Sequence, residues 1–123
     1  MITEDYVSFE TAKLLRDKGF DEPCWFWYNP IGEFRRHYSE PAKSSPCYEI
    51  ACPTLQMAMK WLRKEHNIVC NINIESRNFY YYNVFIIRSS IEAQYQLTSQ
   101  KPYFESPEQA CEAAIKYCLE NLI

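Results

Sequence analysis

Hydrophobic residues recur at helical spacing in three stretches of the chain, and each stretch begins or ends with residues that favour helix termini. The first runs from Phe9 to Lys18, with Ser8 as its N-cap and Gly19 at its end. The second runs from Pro53 to His66. The third opens with Ser106-Pro107-Glu108-Gln109, which combines an N-cap serine, an N1 proline and a capping-box glutamine. The pattern predicts three helices.

Between the helices, the residues favour extended strands. Cys24–Tyr28 and Glu33–Tyr38 flank the turn-forming segment Asn29–Gly32 and predict a hairpin. From Ile68 to Glu75, apolar residues alternate with others at a period of two, as in a strand buried on one side. Phe79–Arg88 follows, rich in tyrosine and isoleucine, as its partner.

Two further segments have weaker strand patterns: Tyr95–Thr98, and Tyr48–Ile50, which is either a short strand or the approach to the second helix. Residues 89–93 fit no single element. We predict an α+β fold in which a mostly antiparallel sheet of about 4–5 strands packs against three helices, in the order α-β-β-α-β-β-(β)-α. Residues 8–38 and 54–88 share a helix-then-hairpin pattern, which raises the alternative of a weak internal duplication.

The 123 residues correspond to one domain, which we predict to span residues 1–123. The net charge of -3 disfavours non-specific binding to nucleic acid. With only two glycines, the sequence has neither a P-loop nor a dinucleotide-binding fingerprint. No secretory signal or membrane-spanning run is present, which predicts a cytosolic protein without a membrane partner and with six reduced cysteines.

Metal binding and cysteine catalysis are the chemical alternatives. Cys47 and Cys52, with Cys24 and His37, can in principle supply four zinc ligands, but a structural zinc site normally shows two close pairs and this chain has one loose pair. We therefore predict no metal and no cofactor. A Cys-His enzyme has no local signature here, so no catalytic residue is assigned and a non-catalytic role is favoured.

Aromatic residues interleave with basic ones on the predicted strands, which is the pattern with the clearest functional implication. We predict an interaction surface that includes Trp25, Trp27, Arg35, Arg36 and Tyr81. Such residues are typical of protein interfaces, with either a different protein or a second copy of the chain as the partner. The alternative is a module that binds single-stranded nucleic acid by stacking bases on the aromatic rings.

Four stretches, Pro53–Lys64 with the following His66-Asn67-Ile68, Phe9–Leu15, Lys18–Cys24 and Ala113–Ile123, resemble a family of small proteins from gut Bacteroides, their phages and mobile elements. That family has no assigned activity, cofactor or catalytic residue, so the resemblance implies a genomic setting and no chemistry. Taken together, the sequence predicts a small cytosolic accessory protein of phage or mobile-element origin that acts by binding a protein.

Overall fold

The computed structural model describes residues 1–89, 92–98 and 103–123, and within 92–98 it describes the backbone alone. It contains helices α1 (Phe9–Asp17), α2 (Leu55–His66) and α3 (Pro107–Asn121). All three predicted helices are confirmed, with ends that shift by two residues or fewer. Among the described residues, no helix is both long enough and apolar enough to cross a membrane.

The capping residues explain where two of the helices begin. The Ser8 hydroxyl accepts a hydrogen bond from the Thr11 N–H at 3.2 Å, and the Ser106 hydroxyl accepts one from the Gln109 N–H at 3.2 Å. Each satisfies an amide that has no partner within its helix. In a capping box, the Gln109 side chain would accept a hydrogen bond from the Ser106 N–H. Here it accepts instead from the N–H of the preceding residue, Glu105, at 3.1 Å.

The predicted hairpin near the N-terminus is confirmed and gains a third strand. Strands β1 (Phe26–Tyr28), β2 (Phe34–Arg36) and β3 (Ile50–Cys52) form an antiparallel sheet in the order β2-β1-β3. All three residues of β3 are buried. The short strand predicted at Tyr48–Ile50 therefore exists but lies two residues further along, where the side chains are apolar.

The second sheet contains β4 (Ile68–Ser76), β5 (Phe79–Ser89) and β6 (Glu92–Thr98), also antiparallel, in the order β4-β5-β6. The strand predicted at Tyr95–Thr98 is thus confirmed and begins earlier, inside the segment that the sequence left ambiguous. Residues 90 and 91 of that segment lie outside the described residues.

The α+β class is confirmed, but the strands form two three-stranded sheets instead of one sheet of about 4–5 strands. The order along the chain is α-β-β-β-α-β-β-β-α, which differs from the predicted order by the strand β3 before α2. In space, β3 pairs with β1 of the first hairpin, and β4 pairs with β5. The chain divides into two compact units, residues 1–57 and 58–123. The single domain and the internal duplication stay predictions.

Each unit has an apolar core. In the N-terminal unit, α1 packs against β3. Its buried apolar residues include Val7, Ala12, Leu15, Phe20, Ile50 and Cys52. In the C-terminal unit, α3 packs against β4 and β5. The buried residues there include Leu62, Ile68, Val84, Ile115, Cys118 and Leu119.

Candidate interaction surface

One face of the N-terminal sheet gathers tryptophan and charged side chains. Trp27 on β1 lies directly opposite Arg35 on β2, and the His37 N–H donates to the Trp25 carbonyl at 2.8 Å, which continues the same register. Opposed residues in an antiparallel pair share a face of the sheet, and so do residues two apart along a strand. We call this surface the tryptophan face; it comprises Trp25, Trp27, Glu33, Arg35, His37, Tyr48 and Glu49.

Trp27 is at the centre of the tryptophan face. Its ring stacks on the His37 ring with centroids 5.7 Å apart, and lies 5.6 Å from the Tyr48 ring. Trp25 is 45% exposed and Tyr48 is 54% exposed, so large aromatic surface remains open to water around the half-buried Trp27. The Trp27 Nε1 and His37 Nε2 atoms are buried and make no hydrogen bond to any described residue.

Charges of both signs border these rings. The Arg35 guanidinium lies 3.0 Å from the Glu33 carboxylate, and His37 Nε2 lies 3.5 Å from Glu49 Oε2. A hydrogen bond from Asn29 and the nearby Arg35 charge hold the pKa of the Glu33 carboxyl below its ordinary value. Glu33 is therefore ionised at neutral pH and largely balances the charge of Arg35.

Asn29 fixes the turn that sets β1 against β2. Its side-chain oxygen accepts from the N–H groups of Ile31 at 3.1 Å and Glu33 at 2.9 Å, while its Nδ2 donates to Glu33 Oε1 at 2.7 Å. Asn29 is only 7% exposed. Asparagine suits this position because its side chain imitates a backbone acceptor in a tight turn. The turn thereby positions Glu33 and Arg35 beside Trp27.

We expect Asn29→Ala to lower the free energy of unfolding by about 1–2 kcal/mol, because two backbone N–H groups lose their acceptor. Asn29→Asp keeps both accepted hydrogen bonds but places a second carboxylate beside Glu33, so its effect should be smaller than that of alanine at pH values where Glu33 is protonated. Urea denaturation of both variants measures this. Equal losses for the two variants at low pH would mean that the accepted hydrogen bonds do not hold the turn.

The structure places the predicted surface residues in three locations. Trp25, Trp27 and Arg35 come together on the tryptophan face. Arg36 lies on the opposite side of the sheet, because it is adjacent to Arg35 in a strand. Tyr81 lies on β5 in the C-terminal unit, half-buried and 6.3 Å from the Tyr103 ring.

That opposite side, which we call the aromatic face, comprises Phe26, Tyr28, Phe34, Arg36 and Tyr38. It is only partly covered, because Phe26 and Tyr28 are half-buried whereas Phe34 is 42% exposed and Tyr38 is 88% exposed. Its rings pack at short distances, with Tyr6–Phe26 at 4.6 Å and Phe26–Phe34 at 4.8 Å. The Tyr28 hydroxyl donates to the Val7 carbonyl at 2.9 Å. At its edge, the Arg36 guanidinium lies 5.8 Å from the ring centroids of both Phe26 and Tyr38.

Sequence reasoning missed Glu33, Tyr48 and Glu49 as members of the surface and considered His37 only as a metal ligand, a catalytic base or a strand surface residue. Glu33 and His37 could have been assigned to this face from the sequence, because each lies two residues from Arg35 in the strand and such residues share a face. Tyr48 and Glu49 come from the segment before β3. The approach of Tyr48 to Trp27 and of Glu49 to His37 depends on the pairing of β3 with β1, which the local sequence does not specify.

The residues considered for zinc do not form a metal-binding group. The Cys24 thiol lies 3.6 Å from the Glu22 carbonyl, the Cys52 thiol donates to the Val7 carbonyl at 3.4 Å, and Cys47 is exposed. Across the described parts of the chain, no three His, Cys, Asp or Glu residues lie close enough to hold a metal ion together. Burial raises the pKa of the Cys24 thiol to about 12, which opposes thiolate chemistry there.

The C-terminal unit carries a cleft of about 1070 Å³. It lies between the β4–β5 turn and the start of α3, and its lining includes Arg77, Phe79, Tyr103, Glu105 and Ser106. The Ser106 hydroxyl is engaged as the N-cap of α3. A hydrogen bond with Glu75 raises the pKa of Tyr103. The Ser106 and Tyr103 hydroxyls in this lining are therefore both engaged in hydrogen bonds within the C-terminal unit.

Comparison with protein-family models, with curated proteins and with solved structures finds no match to this chain.

Proposed function

We propose that this protein is a binding domain that recognises another protein through the tryptophan face. The observation that carries the proposal is the exposure of Trp25 and Tyr48 beside Trp27, on a sheet face that also holds Glu33, Arg35 and Glu49. Tryptophan, tyrosine and arginine dominate the residues that contribute most to protein–protein affinity, because they bury large area with few degrees of freedom. Isolated exposed aromatics are ordinary, but a cluster on one face is not.

The charges on the tryptophan face favour a protein over a nucleic acid. Glu33 compensates the charge of Arg35 at 3.0 Å, and Glu49 adds a second carboxylate. Nucleic-acid binding requires uncompensated cations that displace counterions from phosphates. A face with both signs fits a partner that presents both signs together with an apolar patch, as protein surfaces do.

The setting of the proposal comes from the sequence. The resemblance at the three helices supports an accessory protein encoded by a phage or mobile element of gut Bacteroides, and the proposal places it in the cytosol. The partner is then either a host or element protein in the same compartment, or a second copy of this chain.

A second candidate function, binding of single-stranded nucleic acid, is favoured by one observation on the aromatic face. Arg36 lies over Tyr38, which is 88% exposed, and over Phe26, whose ring stacks on Phe34, which is 42% exposed. A cation beside an open ring is the arrangement on which bases stack. Fluorescence anisotropy with a labelled oligonucleotide at low salt separates the candidates: saturable binding that Arg36→Ala abolishes would establish this second function.

Site-specific photo-cross-linking tests the leading proposal. We expect a benzophenone amino acid in place of Tyr48 to cross-link one discrete partner in Bacteroides cells that express the protein. Tyr38 provides the matched control, because it is a more exposed tyrosine on the aromatic face. The same amino acid at Tyr38 should give no such adduct. Mass spectrometry identifies the adduct, including a second copy of the chain.

Two results would count against the proposal. If neither position gives an adduct above the level of the unsubstituted protein, the tryptophan face is not the binding surface. If position 38 gives the adduct and position 48 does not, the interface lies on the aromatic face, and the tryptophan face is a solvent-exposed surface of the sheet.

A further inference from the structure

Two cysteine side chains contact each other in the C-terminal unit, and neither belongs to the tryptophan face. The Cys70 and Cys118 sulfur atoms lie 3.6 Å apart, although the residues are 48 positions apart in the chain. Cys70 lies on β4 and Cys118 on α3, and α3 packs directly against β4. The contact therefore joins the helix to the sheet that it covers.

The thiol pair is fully buried on the side of α3 and half-buried on the side of β4. Cys118 is completely buried, whereas Cys70 is partly exposed. The ring of Tyr82, itself 7% exposed, lies 6.4 Å from the Tyr117 ring on the same side of the sheet. A third thiol, Cys111, contacts the Met59 sulfur at 3.4 Å instead of joining the pair directly.

We propose that Cys70 and Cys118 are a modification site that forms a reversible disulfide by exchange with a small-molecule disulfide such as oxidised glutathione. In the cytosol, where static disulfides are rare, such a bond acts transiently and reports the redox state of the thiol pool. This inference is independent of the proposed binding function, since it uses different residues in the other unit.

The geometry supports bond formation without refolding. A disulfide has a sulfur–sulfur distance of about 2.05 Å, so the two atoms must approach by only about 1.5 Å from their separation of 3.6 Å. Cys70 is in the regular part of β4, opposite Val84 on β5, and Cys118 is on the buried stripe of α3. Rotation of the two side chains, with a small adjustment of the helix, supplies a movement of this size.

The exchange is balanced in atoms and electrons. The partly exposed Cys70 thiol loses its proton and attacks one sulfur of the small disulfide, which releases the first small thiol and leaves a mixed disulfide on Cys70. The Cys118 thiol then attacks the Cys70 sulfur, and the second small thiol departs with its proton. The protein's two thiols are oxidised by two electrons, and the small disulfide is reduced to two thiols.

Burial favours an uncharged disulfide over a charged complex of thiolates with a metal ion at this site. The hydrogen bond to Cys118 and the apolar surroundings raise the pKa of the Cys70 thiol, so the thiolates that a metal ion requires are disfavoured. A disulfide carries no charge, and its formation requires a thiolate only transiently during the exchange. The same effect lowers the fraction of Cys70 thiolate and makes the first step slow.

The test incubates the folded protein with oxidised glutathione, blocks the remaining thiols and measures intact mass and digested peptides. We expect a species that carries blocking groups on four of its six cysteines, whereas the reduced protein carries six, and whose peptides link Cys70 to Cys118, with reversal by reduced glutathione. Its midpoint of thermal unfolding should rise by roughly 5–10 °C, because the bond restricts the unfolded chain. Cys47→Ser and Cys111→Ser are the matched controls and should leave the linkage intact.

Single variants make the outcome decisive. Cys118→Ala should arrest the reaction with glutathione attached to Cys70, and Cys70→Ala should leave Cys118 unmodified in the folded protein. Serine at either position serves as a second variant if alanine fails to fold. A disulfide that involves Cys111, attachment of glutathione to Cys47 alone, or no linkage between Cys70 and Cys118 at full oxidation of the glutathione pool would overturn the proposal.

Discussion

Replacing Leu15 with alanine is expected to lower the free energy of unfolding by about 3 kcal/mol, within the ~2–5 kcal/mol typical of buried leucines. Leu15 is completely buried on α1, the helix that packs against β3. Removing its side chain leaves a cavity as well as forfeiting the burial of apolar surface. Leu14 is the matched control, since it has the same side chain at the adjacent position but is only half-buried. Leu14→Ala should lower the free energy by about 1 kcal/mol or less.

Urea denaturation followed by circular dichroism measures both variants. Similar losses for Leu14→Ala and Leu15→Ala would show that α1 does not present the face that the structure gives it. Leu15 supports the binding strand only indirectly: α1 packs on β3, and β3 pairs with β1, the strand that carries Trp27. A protein with the Leu15 cavity should bind its partner normally at temperatures where it remains folded.

The helices were predictable from sequence because the information that specifies them is local. Ser8 and Ser106 accept hydrogen bonds from amides three residues ahead, and Gly19 has the positive φ of 96° that a residue after a helix end adopts. The buried side chains recur at the helical period within each segment. Nothing distant in the chain is needed to recognise such a pattern.

The division of the strands into two sheets could not be predicted in the same way. Which strands pair depends on contacts between distant segments, such as Trp27 on β1 opposite Ala51 on β3. Alternation predicts that a strand exists and which of its residues share a face, but not its neighbour. A single sheet and two separate sheets therefore fit the same pattern of hydrophobic positions.

The candidate site shows the same limit. Trp25, Trp27 and Arg35 were identified from composition and order, but Arg36 was grouped with them although adjacent residues in a strand point to opposite sides. Cys70 falls on an apolar position of the alternating pattern in β4, and Cys118 falls on the apolar stripe of α3. Their mutual contact depends on how α3 lies across β4, and the sequence carries no signal for that.

Arg35→Ala is expected to weaken binding of the partner by roughly 30-fold, whereas Arg36→Ala should change it by less than about 3-fold. A 30-fold loss corresponds to about 2 kcal/mol, the usual threshold for a residue that dominates an interface. The two arginines are adjacent and chemically identical, and they lie on opposite faces of the same strand. Arg35 is beside the exposed aromatic rings, and its removal also leaves the Glu33 carboxylate uncompensated.

Trp25→Ala should weaken binding of the partner at least as much as Arg35→Ala does, because Trp25 exposes a larger apolar area than Arg35. None of these three substitutions removes a fully buried side chain, so all three variants should remain folded. Thermal unfolding of each variant checks this before any binding is measured. A variant whose midpoint falls well below that of the unsubstituted protein is compared at a temperature where both are folded.

The most direct measurement is calorimetric titration of the partner that cross-links at position 48 into the unsubstituted protein, Arg35→Ala and Arg36→Ala. The proposed function requires that affinity fall steeply for Arg35→Ala and stay nearly unchanged for Arg36→Ala. Equal affinities for all three proteins, or a loss confined to Arg36→Ala, would contradict the tryptophan face as the binding surface.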